Sequence, residues 1–334
     1  MPTGYGDPMA EYWRLINGVA MWDVSVERQV ELVGPDAARL AQILTPRKLD
    51  ALRPGVGRYV PICDHRGVII NDPILLKIAD DRFWLSIADS DLVLFARAVA
   101  AERKLNVRVF EPDVSPLAIQ GPKADDVVGD LLGEDILSLK FFHFRDVDLD
   151  GIPLTVARSG WSHQGGFEFY LLDSSKGDAL WAKVKEAGQP YGIGPGTPNP
   201  MERVESGLLS YGGDTDDETN PFEVRLGRYV DLDAPDEVLS IAALRDIHTK
   251  GVTRHQIGVK LAMDGQYGQT DRLSTVLKGN AEVGKITAHA YSPRLECNIG
   301  IALISNEVTS GEEVYVALGD GRSTAGVVCD LPFI

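Results

Sequence analysis

Three carboxylates stand where an apolar element should run. Asp72 lies in Ile69-Ile70-Asn71-Asp72-Pro73-Ile74-Leu75. Proline cannot donate to a β-ladder, so strand pairing must break or bulge at Pro73. A carboxylate at such a break, flanked by isoleucine and leucine, is costly unless it meets a partner. A group held that way can take up a proton during a reaction. An Asp-Pro pair is also an ordinary turn former, and a solvated bulge would account for it as well.

Glu168 lies in Gly166-Phe167-Glu168-Phe169-Tyr170, after the loop Arg158-Ser159-Gly160-Trp161-Ser162-His163-Gln164-Gly165. Its glycines permit unusual backbone angles or close approach of a ligand. A plain hairpin with a surface glutamate is the alternative. Glu205 lies in Glu202-Arg203-Val204-Glu205-Ser206-Gly207-Leu208-Leu209. On a helix, Glu202 and Glu205 share a face, and the small and apolar residues after Glu205 suit an inward direction. An exposed Glu/Arg pair fits the same letters.

Several other chemistries find no support. There is no GxGxxG after a strand, no P-loop, no HExxH and no nucleophile elbow. Cys63, Cys297 and Cys329 are widely spaced and odd in number, so neither a disulfide framework nor a zinc site is expected. The six histidines show no ligand spacing, and no metal is expected. The formal net charge of -16 argues against a nucleic-acid binder, which needs clustered Lys and Arg, and disfavours an anionic membrane surface. It suits a cationic small molecule. No apolar run of about 18 residues occurs, so no membrane span is expected. The polar start, Met1 to Glu11, does not resemble a signal peptide. A reducing cytoplasm is the expected setting.

The elements that must position these residues follow from the apolar pattern. The 334 residues are enough for two or three domains. Tyr59–Cys63 and Val68–Leu76 read as a hairpin around the turn Asp64-His65-Arg66-Gly67. Helices are expected over 11–19, 37–44, 90–105, 177–187 and 202–211. Strands are expected over 28–33, 82–87, 107–110, 141–144, 154–159 and 166–172. Val30-Glu31-Leu32-Val33-Gly34-Pro35-Asp36 recurs in type as Leu117-Ala118-Ile119-Gln120-Gly121-Pro122-Lys123. Each reads as strand, Gly-Pro turn, helix, which predicts two related α+β units with antiparallel sheets. Asp214–Asn220 lacks EF-hand spacing and is expected to be a solvated acidic loop. Residues 232–237 look like a linker. Beyond them, strands over 256–262, 274–277, 282–288, 298–304 and 313–317 alternate with turns, as in a small all-β unit.

Gly34-Pro35, Ile70-Asn71-Asp72, Arg158-Ser159-Gly160-Trp161, Arg203-Val204-Glu205, Thr219-Asn220-Pro221-Phe222-Glu223 and Tyr291-Ser292-Pro293 occur in that order. Together they resemble the aminomethyltransferase family, the T-protein of the glycine cleavage system and its tetrahydrofolate-dependent relatives. Trp22-Asp23-Val24-Ser25-Val26-Glu27-Arg28, Ser86-Ile87-Ala88-Asp89-Ser90-Asp91 and Gln164-Gly165-Gly166-Phe167-Glu168 are similar to the dimethylsulfoniopropionate demethylase branch. The longer family start, with its Arg-Thr-Pro phrase, is not matched.

The resemblance implies an α+β fold of three domains around a folate channel: two related sandwich units and a C-terminal β-barrel. The corresponding boundaries are 1–238, divided into 27–112 and 1–26 with 113–238, and 239–334. It implies an enzyme that moves a one-carbon group to tetrahydrofolate, with Asp72 catalytic near the pterin nitrogens. Tyr59, Ser86, Glu168 and Tyr170 match positions lining the folate pocket, and Glu205 matches a pterin-edge carboxylate. Trp22 and Trp161 fall to the methyl-donor side. The donor would be dimethylsulfoniopropionate or a similar onium compound; an aminomethyltransferase, or a demethylase for another N-methyl or O-methyl donor, is the alternative. A monomer or homodimer is expected.

Such chemistry needs no protein nucleophile, because the cofactor brings its own amine. An onium donor is activated by its own charge. Positioning can supply roughly 7–11 kcal/mol of the barrier, and each aromatic face about 0.5–2 kcal/mol of onium binding.

Overall fold

The computed structural model describes residues 4–87, 91–263, 273–319 and 321–334. The chain separates into two compact units. The first comprises residues 1–62 and 71–199, the second 63–70 and 200–334.

The strands preceding the barrel are, in chain order, β1 (Ala20–Asp23), β2 (Gln29–Val33), β3 (Val56–Tyr59), β4 (Ile62–Cys63), β5 (Ile69–Asn71), β6 (Ile74–Ala79) and β7 (Arg82–Ser86). They continue with β8 (Arg108–Phe110), β9 (Ser115–Gln120), β10 (Phe144–Leu149), β11 (Ile152–Ala157), β12 (Gly166–Leu171) and β13 (Gly194–Gly196). One sheet has the order β3-β6-β7-β2-β8 and the other β10-β11-β12-β9-β1-β13, while β4 and β5 pair only with each other. Each half of the repeat therefore sits in its own sheet. After β2 and after β9 the chain turns at a glycine with positive φ, Gly34 at 136° and Gly121 at 123°. A Cβ on Gly121 would stand 2.5 Å from the Gly18 carbonyl oxygen, so only glycine fits that turn.

Helix Ala37–Leu44 buries Ala37, Leu40, Ala41 and Leu44, the spacing of one helical face. The larger sheet puts Met21, Ile119, Phe167 and Phe169 into a core closed by Ala124, Val127 and Val128 of helix Ala124–Leu132 and by Leu180 and Val184 of helix Gly177–Gly188. Alternation then turns Glu168 and Tyr170 to the opposite face. All six residues of β12 are buried, so that face is covered too. Its cover is the smaller sheet: Tyr170 and Ala157 cluster with Leu76 and Trp84.

In the second unit, β14 (Arg254–Leu261), β15 (Leu273–Lys278), β16 (Ala281–Ser292), β17 (Cys297–Ser305), β18 (Glu313–Leu318) and β19 (Ser323–Cys329) close into a barrel, β14-β17-β16-β15-β18-β19. Ile257, Val259, Leu261, Val314 and Val316 alternate into its core. Helix Pro200–Glu205 lays Val204 on Ala290, Ile299 and Ile301 of the barrel wall.

Several expectations need correction. The helix predicted over 202–211 stops at Glu205, because Gly207 takes φ 60° and turns the chain. The strand predicted over 141–144 begins only at Phe144, since Phe142 holds the left-handed conformation at φ 61°. Helix Ile241–Lys250 and strand β19 were not anticipated. The acidic loop is not simply solvated. Asp214 is 1% exposed and pairs with Arg203 at 3.0 Å, while Asp216 pairs with Arg254 and Lys285. Burial alone would raise Asp216, but hydrogen bonds from Arg254, Thr219 and Lys285 outweigh it and hold the carboxyl well below its ordinary range. Ala88, Asp89 and Ser90, quoted in the resemblance, lie outside the described residues.

Candidate active site

The break at Pro73 separates β5 from β6, and the ladder resumes with Val60 N–H donating to the Pro73 carbonyl at 3.0 Å. Asp72 is left outside the ladder, half-buried. Tyr59 Oη donates to Asp72 Oδ2 at 2.5 Å, a short charge-assisted contact. Tyr59 stands opposite Ile74, and Ile74 opposite Ser86. Tyr59 and Ser86 therefore share one face of the smaller sheet, two strands apart, or about 10 Å.

The facing side belongs to β12. Glu168 is 8% exposed; its Oε2 accepts from Ser159 Oγ and, at 3.3 Å, from Tyr170 Oη. Tyr170 Oη lies 3.5 Å from Ser86 Oγ, which links the two sheets. Burial pushes the Glu168 carboxyl up, and the Ser159 and Tyr170 hydrogen bonds only partly restore it. Burial, then the Glu168 charge, pushes the Tyr170 phenol well above its ordinary value. Glu168 has hydroxyl partners but no cation among the described residues.

Across the larger sheet, Gly196, Trp22, Ala118, Glu168 and Ala157 form one row. Trp22 and Glu168 are thus separated by a single alanine. Trp22 itself is 2% exposed, packed with Leu15, Val24 and Ala118. Trp161 is half-buried in the loop between β11 and β12. Glu205 belongs to the second unit and is fully buried. Its Oε2 accepts from Arg294 Nε at 3.0 Å and Nη2 at 2.5 Å, and its Oε1 from Ser292 Oγ at 2.5 Å.

Tyr59 and Ser86 thus share one face of the smaller sheet, Glu168 and Tyr170 lie on the side of the larger sheet that covers it, and Asp72 meets Tyr59 from the break between β5 and β6. Two further residues escaped the sequence reading. Gln120, fully buried, donates from Nε2 to the Ser159 carbonyl at 3.0 Å and accepts from Ser162 Oγ at 2.7 Å. It lies in a cradle of two glycines: a Cβ on Gly160 would come within 2.1 Å of it, and one on Gly166 within 2.7 Å. Gln120 thereby fixes the loop that carries Ser159 and Trp161. The signal was in the repeat, where Val33 stands at the matching position. Glu31, 3% exposed, accepts from Arg82 Nε at 2.7 Å and Trp84 Nε1 at 3.0 Å. No group of His, Cys, Asp and Glu among the described residues is arranged to hold a metal ion. No helix among them is long and apolar enough to cross a membrane.

Two family models match the chain: the GCVT N-terminal domain over residues 2–234 and the glycine cleavage T-protein C-terminal barrel domain over 254–334. Dimethylsulfoniopropionate demethylase DmdA of Ruegeria pomeroyi is 40% identical over 304 residues, which cover 91% of this chain and 82% of that one. An aminomethyltransferase of Caldanaerobacter subterraneus subsp. tengcongensis is 28% identical, covering 98% of this chain and 88% of its own. The crystal structure of the glycine cleavage system aminomethyltransferase T from Bartonella henselae superposes with a TM-score of 0.87 at 23% identity, covering 100% of this chain and 91% of that chain. It shares the fold: mixed helix and sheet followed by a six-stranded barrel. With both models matched in order along almost the whole length, this chain belongs to the glycine cleavage T-protein family.

Proposed function

We propose that this protein is a tetrahydrofolate-dependent demethylase that moves a methyl group from dimethylsulfoniopropionate, or a closely similar onium acid, to N5 of tetrahydrofolate. The similarity to the Ruegeria demethylase supports the donor. The observation that carries the reading is the buried Glu168 carboxylate, whose partners among the described residues are hydroxyls, joined through Tyr170 to Ser86 on the sheet face that also carries Tyr59.

These residues fit a reduced pterin. A pterin offers a row of N–H donors, and Glu168 is a buried acceptor with no cation beside it among the described residues. Tyr170 and Ser86 add hydroxyls that donate or accept as required. When bound, tetrahydrofolate supplies the nucleophilic amine and becomes the methyl carrier. Asp72 orients that amine and accepts the proton it gives up, while Tyr59 Oη–H steadies the carboxylate by donating to Oδ2. The Gln120 cradle holds the Ser159–Trp161 loop, so the aromatic ring of Trp161 stays positioned for the onium group. The rest of the task is alignment and exclusion of water.

The test is incubation of the protein with tetrahydrofolate and, separately, dimethylsulfoniopropionate, glycine betaine and an aminomethyl-lipoyl carrier, read by mass for one-carbon folates. Methylated folate with the sulfonium donor is expected. One-carbon transfer only from the lipoyl carrier would replace this reading with an aminomethyltransferase.

A further inference from the structure

The barrel unit carries a concave site lined by none of the residues assigned to methyl transfer. A cavity of about 510 Å3 is lined by Arg225, His255, Gln256, Thr309, Ser310 and Asp330, among others. Arg225 donates from Nη1 to the Gly207 carbonyl at 3.2 Å. Among the described residues it has no carboxylate partner, in a chain with 49 acidic and 33 basic residues. Burial, then the nearby Arg228 charge, lowers its pKa, so its surroundings work against the cation. A guanidinium held in that way is favoured by an incoming anion.

A second observation points the same way. Ile257, Val259 and Leu261 face the barrel core, so alternation puts Gln256 on the outer wall, where the cavity lies. Gln256 is 5% exposed and lines the cavity, and its buried Nε2 has no acceptor among the described residues. A buried amide without an acceptor is a cost that a ligand oxygen would remove. His255 adds a third group. Asn306 Nδ2 donates to the Val252 carbonyl, so Asn306 Oδ1 is the acceptor in its 2.8 Å contact with His255 Nδ1. Thr309 and Ser310 contribute exposed hydroxyls. Asp330 is the one opposing charge; it is exposed and makes no ion pair with Arg225.

We propose that this cavity binds a small oxyanion, a carboxylate or a phosphate, with the Arg225 guanidinium as the principal contact and the Gln256 amide and loop hydroxyls as further donors. The site is independent of the proposed methyl transfer.

The experiment is a titration of the full chain, labelled with 15N at arginine side chains, with inorganic phosphate and separately with acetate at constant ionic strength. Saturable movement of the Arg225 guanidinium signal is expected below about 20 mM, a range that corresponds to weak but specific affinity. Response to one anion alone, or to both, supports the site and tells phosphate from carboxylate. Arg225 holds φ 65°, a conformation that asparagine tolerates, so Arg225→Asn is the variant of choice. It should weaken binding by roughly tenfold or more, while Arg228→Asn changes it little. No saturable response in the native chain overturns the proposal, as does equal weakening by the two variants, which would mean diffuse charge. Retained methyl transfer by both variants shows that they fold, and loss of that activity in the native chain would bear on the enzyme reading alone.

Discussion

Glu168 and Glu205 are both buried glutamates, and they are solved differently. Glu205 has a guanidinium and a hydroxyl, so its charge is compensated within the fold. Glu168 has only hydroxyls among the described residues, and its carboxyl is pushed up by burial. A buried acid matched by a cation is at rest; one that lacks a cation still favours a donor-rich ligand. Glu31, matched by Arg82 and Trp84, falls on the Glu205 side of this divide. The difference separates structural carboxylates from the one we assign to cofactor binding.

The largest stability effect should come from Glu205→Ala. It removes the buried carboxylate to which Arg294 donates, so a loss of about 3 kcal/mol is expected in urea unfolding. A loss under 1 kcal/mol would put Glu205 outside the structural class. Glu168→Gln should do the reverse. Stability should stay within about 1 kcal/mol of the native protein, while tetrahydrofolate affinity falls roughly tenfold to a hundredfold, the scale of hydrogen bonds to a charged group. If unfolding shifts and affinity does not, the two roles are exchanged.

A smaller effect is carried by pH. The folded Glu168 carboxyl is raised above its ordinary 4.5, so the native state binds its proton more tightly than the unfolded chain does. Its contribution to stability is present below the unfolded value and is lost as pH rises through the folded one. Tetrahydrofolate affinity should move oppositely, rising through that window as the acceptor ionises. Glu168→Gln should flatten both profiles; a profile unchanged by the variant would assign the titration elsewhere. The smallest effect is expected from Ser86→Ala, which removes a 3.5 Å contact with Tyr170. A loss in folate affinity of about threefold is expected, close to the lower end for a neutral hydrogen bond.

Much of this arrangement is legible in the residues. The Asp72-Pro73 break follows from a missing ladder donor, and the repeated Gly-Pro phrase marks two sheets. What escaped was set by context. Gly207 ends a helix that the apolar spacing would extend, and Phe142 adopts a left-handed conformation that no propensity marks. Strand β19 alternates small and branched residues without a strong apolar run. Arg254 and Asp216 are 38 residues apart and meet only through tertiary contact. Gln120 could be found only by comparing the two copies of the phrase.

The central claim is that Asp72, freed from the ladder and held by Tyr59, serves the methyl transfer itself. Steady-state turnover of Asp72→Asn with tetrahydrofolate and dimethylsulfoniopropionate, measured beside tetrahydrofolate binding, tests it most directly. A fall in kcat of roughly a hundredfold or more, with folate affinity within about threefold of native, is the predicted result. Near-native kcat in a variant that binds folate would contradict the account.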